Sequence, residues 1–201
     1  MKLQRNSAKL AARKRPAYCQ TPCLGVAGMV LQRMGSVKTA SATLVAALAV
    51  VFALTLMKGT YSFGGLWSTE AHRNRSIDLQ LFDAWNNPTL WYAPWLDAVG
   101  NVALFIPFGF LLVTILAGHW KTPIIFSTML GFLMSVGIEA TQYVYAIGYT
   151  DVDDVLCNTV GAFVGACFAR ILGSRGRGLV VTFFLVGALC ILAEMILSIV
   201  F

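Results

Sequence analysis

The sequence predicts an all-α fold: an integral membrane bundle of about five transmembrane helices. Three observations carry this. Apolar residues make up 58% of the 201-residue chain, and mean hydropathy is +0.73. Only 15 Lys and Arg and 9 Asp and Glu are present, too few to give a water-soluble domain its polar coat. The apolar residues are gathered into five nearly uncharged runs rather than spread along the chain. Disorder is excluded by the same arithmetic, because disordered chains are poor in apolar residues.

The first span is Ser41 to Met57, uncharged throughout. The second runs from about Val99 to Ala117, the third from Pro123 to Tyr145, the fourth from Val155 to Leu172 and the fifth from Leu179 to Phe201. At 1.5 Å per residue, runs of this length cross a hydrocarbon core of about 30 Å. Lipid offers the backbone no hydrogen bonds, so these runs are expected to be helical. The first is read as a retained span rather than a signal peptide, since Lys58-Gly59-Thr60 lacks a small-x-small cleavage pattern.

Two regions are distinguished: a basic tail over 1–40 and a membrane domain over 41–201 that includes a loop over 58–98. Met29 and Met34 stand just upstream of the first span as alternative starts to Met1. Eight basic residues precede position 40, and no carboxylate precedes Glu70. No nucleic-acid reading module accompanies the tail, so it is read as an anchor beside anionic lipid. An N-terminus inside puts twelve Lys and Arg on the cytoplasmic side and three outside, in accord with the positive-inside rule. Seven carboxylates (Glu70, Asp78, Asp83, Asp97, Asp151, Asp153 and Asp154) then fall outside, as does the C-terminus.

The loop over 58–98 is rich in aromatics. Ile77 to Leu81 alternates like a short strand, and its extension to Trp85 suits a helix on the bilayer surface equally. Trp91, Tyr92 and Trp95 read as an interfacial belt. The five cysteines, Cys19 and Cys23 among them, read as unbridged, and no metal or cofactor is expected.

Polar residues inside spans are costly and mark the places where chemistry is concentrated. Glu139 and Gln142 share a face of the third span with Gly131 and Ser135, and Glu139 lies about 9 Å inside its outer end. Asp154, Asn158, Gly161 and Gly165 share a face of the fourth. Asn101 stands near the outer end of the second, followed by Pro107 and Gly109. The alternating directions of these spans place all the polar groups in the outer leaflet. Gly131, Gly161 and Gly165 are expected to bring the third and fourth spans together, so that Gln142 and Asn158 bond across the contact and satisfy Glu139. Pro107 is expected to kink its helix and free a carbonyl near residue 103, within reach of Asn101 or a neighbour. Asp153 and Asp154 also read as helix caps. Asp151, Asp153 and Asp154 lack the glycine and terminal Glu of a calcium loop. Glu194, in the fifth span, either joins the cluster or snorkels.

Three motifs now coincide. Asn101 to Leu111, with Asn101, Phe105, Pro107 and Gly109, resembles the N-x-x-x-F-x-P-x-G pattern of VanZ-like membrane proteins. Glu139-Ala140-Thr141-Gln142 resembles that family's E-x-x-Q, and Asp151 to Ala162 its D-x-x-D-x-x-x-N-T-x-G-A block. Many members place an Arg before the last block, where this chain has Tyr149. The resemblance covers about 41–172 and implies a multi-pass protein of the bacterial cytoplasmic (inner) membrane, of a family associated with resistance to the lipoglycopeptide teicoplanin.

On this reading Asn101, Glu139, Gln142, Asp151, Asp154 and Asn158 bind an acylated envelope ligand: a lipoglycopeptide or a cell-wall lipid precursor. Membrane lipids are the other expected partners, and nucleic acid is not one. Two alternatives stand beside it. One is an intramembrane enzyme acting on an envelope lipid or glycan, with Glu139 or Asp154 as general base. The other is a structural or partner-binding subunit.

Overall fold

A computed structural model describes residues 35–56, 76–86, 90–117, 120–147 and 149–200, together with 30 and 33. Five long helices occupy most of these: α1 (Val37–Leu56), α2 (Ala93–Leu116), α3 (Pro123–Tyr145), α4 (Val152–Ile171) and α5 (Ser174–Val200). All five are long and apolar enough to cross a membrane. They begin up to six residues before the apolar runs, or with them, because first turns are built from capping and polar residues that a hydropathy reading trims. Pro94 and Pro123 sit in the first turns of α2 and α3, where a missing N–H costs nothing. The N-cap of α4 is Asp151, whose carboxylate accepts the Asp153 N–H at 2.8 Å. The cap thus lies upstream of Asp153 and Asp154, which the sequence suggested for that role.

Residues 76–86 take both of the forms open to them, each briefly. Strand β1 (Ser76–Asp78) pairs in parallel with β2 (Tyr149–Asp151), Ser76 opposite Tyr149 and Asp78 opposite Asp151. A single helical turn follows at Asp83–Asn86. Between them Asp78 Oδ1 accepts the Gln80 N–H at 2.8 Å, and the Phe82 N–H donates to both carboxylate oxygens of Asp153 at 3.1 and 2.9 Å. The α1–α2 connection is therefore tied to the α3–α4 connection.

Helix α4 packs chiefly on α2 and next on α3, while α1 lies against α2 and α5. The closest approach is between α2 and α4. A methyl group on Gly161 or Gly165 would collide with the carbonyl oxygen of Val102 or Ile106, and one on Gly109 with that of Ala162. Of the three glycines expected to join α3 to α4, only Gly131 does so, facing the Ala162 methyl. The face holding Asp154, Asn158, Gly161 and Gly165 is wide enough to meet two neighbours, and its glycines turn to α2. Phe105, Phe108, Ile138, Val51 and Ala162 fill the half of the core beneath the β-strands, and Phe110, Leu111, Val113, Ala166 and Val181 fill the other half.

Among the described residues charge divides the same way. Asp78, Asp97, Glu139, Asp151, Asp153 and Asp154 lie at the end carrying the strands, hereafter the acidic end, and Lys38, Lys121, Arg170 and Arg177 at the opposite one.

Candidate functional site

At the acidic end the polar side chains of α2, α3 and α4 are sealed inside the bundle. Asn101, Glu139, Gln142, Asp154 and Asn158 are 3, 4, 3, 8 and 2% exposed. Inside protein, such groups persist only when hydrogen-bonded. Asn101 Nδ2 donates to Asp154 Oδ1, joining α2 to α4. One turn further in, Asn158 Nδ2 donates to Ser135 Oγ at 2.8 Å, joining α4 to α3. Glu139 stands one turn above Ser135, as Asp154 stands one turn above Asn158, so the two carboxylates occupy the same level of antiparallel neighbours. Glu139 Oε2 accepts the backbone N–H of Asp151 at 3.0 Å, and its own carbonyl accepts the Thr150 hydroxyl at 3.2 Å. The end of α3 thus holds β2 in place.

Two expected contacts take other partners. Gln142 does not bond Asn158: its Nε2 donates to the carbonyl of Thr55, in the last turn of α1, at 3.1 Å. Seven residues, or about 10 Å, separate Gln142 from Ser135 along α3, so Gln142 lies well above the level of Asn158. Nor does the Asn101 amide serve the carbonyl freed by Pro107, since it is turned to Asp154. Helix α2 continues through Pro107. Glu194 is exposed on α5 and outside the cluster. Gln142 Oε1 and Asn158 Oδ1 remain buried acceptors without a donor. Among the described residues no three His, Cys, Asp or Glu are grouped to hold a metal ion, and Cys157, Cys167 and Cys190 are unbridged. Cys19 and Cys23 lie outside the described residues, as do His72 and His119.

Asp151 sits outside the spans. Burial pushes its carboxyl above the ordinary 3.8, the Asp153 N–H that it accepts opposes the rise, and the neighbouring charges of Asp153, Asp78 and Asp97 add to it.

A cavity of about 900 Å³ opens on the other face of α2, between α1, α2 and α5. Its walls are Ala47, Val50, Val51 and Leu54 of α1, Ala103, Leu104 and Pro107 of α2, and Phe183, Phe184, Ala188 and Ile191 of α5. Gly100 and Gly187 also line it, and a Cβ on either would meet open space. Its polar lining lies near the acidic end, at Tyr92, Asp97 and Asn101. From Asp97 to Pro107 it follows α2 for about 15 Å. Asn101 belongs to both features: it lines this groove and bonds Asp154 behind it. The groove was hidden in the sequence because its walls have the composition of a lipid-facing surface. Gly100 in α2 and Gly187 in α5, small residues within apolar spans, were the signal available.

Comparison with known proteins adds an independent line. A family model described as VanZ/LLP1 matches residues 44–173. Protein VanZ of Enterococcus faecium is 34% identical over 114 residues, covering 56% of this chain and 62% of that protein. The chain therefore spans less than two thirds of that relative's length. No solved structure matches.

Proposed function

This chain belongs to the VanZ/LLP1 family of membrane proteins, and we propose that it works in the bacterial cytoplasmic membrane by binding an acylated envelope ligand. Lipoglycopeptides of the teicoplanin type are the ligands this family resemblance favours. The acyl chain lies in the α1–α2–α5 groove and the polar part of the ligand at Asp97 and Asn101, with the acidic end outside. The excess of Lys and Arg in the tail and at the opposite end supports that orientation.

The groove is the observation that carries this reading. About 900 Å³ lies within the range of small-molecule sites, and its walls are apolar from Leu104 to Ile191. The network of Asn101, Asp154, Asn158, Ser135 and Glu139 acts behind it as a frame, fixing where Asn101 stands. Rigid support of this kind is what holds a binding group in register.

The test fills the groove without disturbing the packing. Gly187→Phe and Gly100→Leu introduce side chains where a Cβ meets nothing within 4 Å. In a susceptible host expressing the chain, protection against an acylated glycopeptide is expected to fall in both variants at unchanged membrane abundance. Susceptibility to a glycopeptide without an acyl tail is expected to stay the same. Full protection by both variants would overturn the reading.

A further inference from the structure

The groove is tightly bounded in one direction only. Helix α5 packs along α1 and makes little contact with α2, so one long side opens to lipid between α2 and α5, where Phe183 is 73% exposed. Width on that side is shared with the bilayer and selects nothing. Depth is different. The innermost lining residues are Ala47 of α1, Pro107 of α2 and the pair Phe183 and Phe184 of α5. Three residues further in on each helix, Leu44, Phe110 and Val181 pack into one core, Phe110 and Val181 wholly buried. Phe184 sets its ring edge-on against Phe110 at 5.5 Å, and Phe110 meets Phe168 at 5.7 Å. The three helices therefore close within one turn of Phe184, and the groove has a floor.

From Leu54 to Ala47 on α1, and from Ile191 to Phe184 on α5, the apolar walls advance about 10 Å, against about 15 Å on α2. An extended residue spans about 3.6 Å over three bonds, so an extended alkyl chain advances about 1.2 Å per carbon. The depth thus matches about eight to twelve carbons. A chain passing from bilayer to groove exchanges one hydrocarbon environment for another, so length beyond the floor brings no gain. A longer chain has to fold back over Phe184 or lift its head from the polar end, and a shorter one leaves the floor unfilled.

We propose that Phe184, seated on Phe110, makes the groove a length gauge that selects amphiphiles with a chain of about ten carbons over longer and shorter ones. The proposal rests on the groove reading above and specifies its ligand's chain. Phe184 stands on α5, beyond the residues 44–173 that the family model matches, so the gauge belongs to this chain's fifth helix rather than to the matched segment.

The full chain, reconstituted in phosphatidylcholine vesicles, is loaded with a ten-carbon alkylphosphocholine carrying a nitroxide on its chain. The motionally restricted fraction of the spectrum reports binding. Unlabelled alkylphosphocholines of six to eighteen carbons compete with it at equal concentration in the bilayer. All share one head, so differences report the chain. Displacement is expected to be most effective near ten carbons and about fivefold weaker at sixteen, the low end of an overpacking cost. Phe184→Ala lowers the floor and should move the optimum to longer chains. Gly187→Leu, one turn above and where a Cβ meets open space, raises it and should move the optimum to shorter ones. Loss of fold cannot produce shifts in opposite directions. Potency that is flat with length or still rising at fourteen carbons, or an optimum unmoved by either substitution in a folded chain, would overturn the length gauge and leave the groove standing. A restricted fraction insensitive to every competitor and to Gly187→Phe would instead overturn the groove reading itself.

Discussion

The carboxylate of Glu139 accepts the backbone N–H of Asp151 at 3.0 Å, so a buried acid near the end of one helix holds the residue that caps the next. The bond needs an oxygen at that position rather than a charge. Glu139→Gln keeps an acceptor there and should fold with near-normal thermal stability in detergent. Glu139→Ala strands the Asp151 N–H and should cost about 1–3 kcal/mol. If Glu139→Gln loses as much stability as Glu139→Ala, the charge matters to the fold and this account of it fails.

The contact between Asn101 and Asp154 joins the two helices that pack most closely. Replacing Asn101 with Leu removes a donor from a buried carboxylate, at an expected cost of about 2 kcal/mol. In the Asn101→Leu and Asp154→Leu double variant part of that loss should return, since neither side chain is then buried without the other. A double-mutant cycle on unfolding in mild detergent measures the coupling, and strictly additive losses would show that the two side chains act independently.

Backbone proximity sets a sharper limit. Gly161→Ala and Gly165→Ala each push a methyl against a carbonyl oxygen of α2, which no rotamer change relieves. Each is expected to cost about 3 kcal/mol or more, or to abolish accumulation in the membrane. Gly100→Ala, where the space is open, should be neutral or slightly stabilising through its helix propensity. Size-exclusion profiles of the three variants separate these outcomes.

Asp151 makes the acidic end sensitive to pH. Its carboxyl is raised above the ordinary 3.8, so over the interval just above that value the folded chain holds a proton that the unfolded chain has lost. Stability from this group is therefore greatest below 3.8 and is lost as pH rises through the raised value. Asp151→Asn keeps a side-chain oxygen for the Asp153 N–H and removes the titration. Relative to the unmodified chain, its melting temperature is expected to improve as pH rises from the acid range to neutrality. A difference that stays constant with pH would exclude Asp151 as the source.

The spans were readable because lipid leaves a polypeptide few options, and 17 or more apolar residues in a row satisfy one of them. Asn101, Glu139, Gln142, Asp154 and Asn158 were readable for the complementary reason: each is a polar side chain where such groups are expensive. Their pairings were not. Whether Gln142 meets Asn158 or the Thr55 carbonyl depends on the axial offset and rotation of three helices, and one sequence carries no measure of either. The turn of Gly161 and Gly165 toward α2 was lost in the same way. The groove left still less trace, since Leu104 or Phe184 lining a cavity is indistinguishable by composition from the same residue facing lipid.

The parallel pairing of Ser76–Asp78 with Tyr149–Asp151 also dictates a timetable for biogenesis. Phe82 and Asp153, which close over that pairing, lie 71 residues apart. A ribosome must therefore deliver α1, α2 and α3 before the clasp has its second half, and α5 is made only afterwards. Until then the segment over 76–86 waits without its partner strand. Truncation after α3 should leave it open to proteases on its side of the membrane, and extension through α4 should close it.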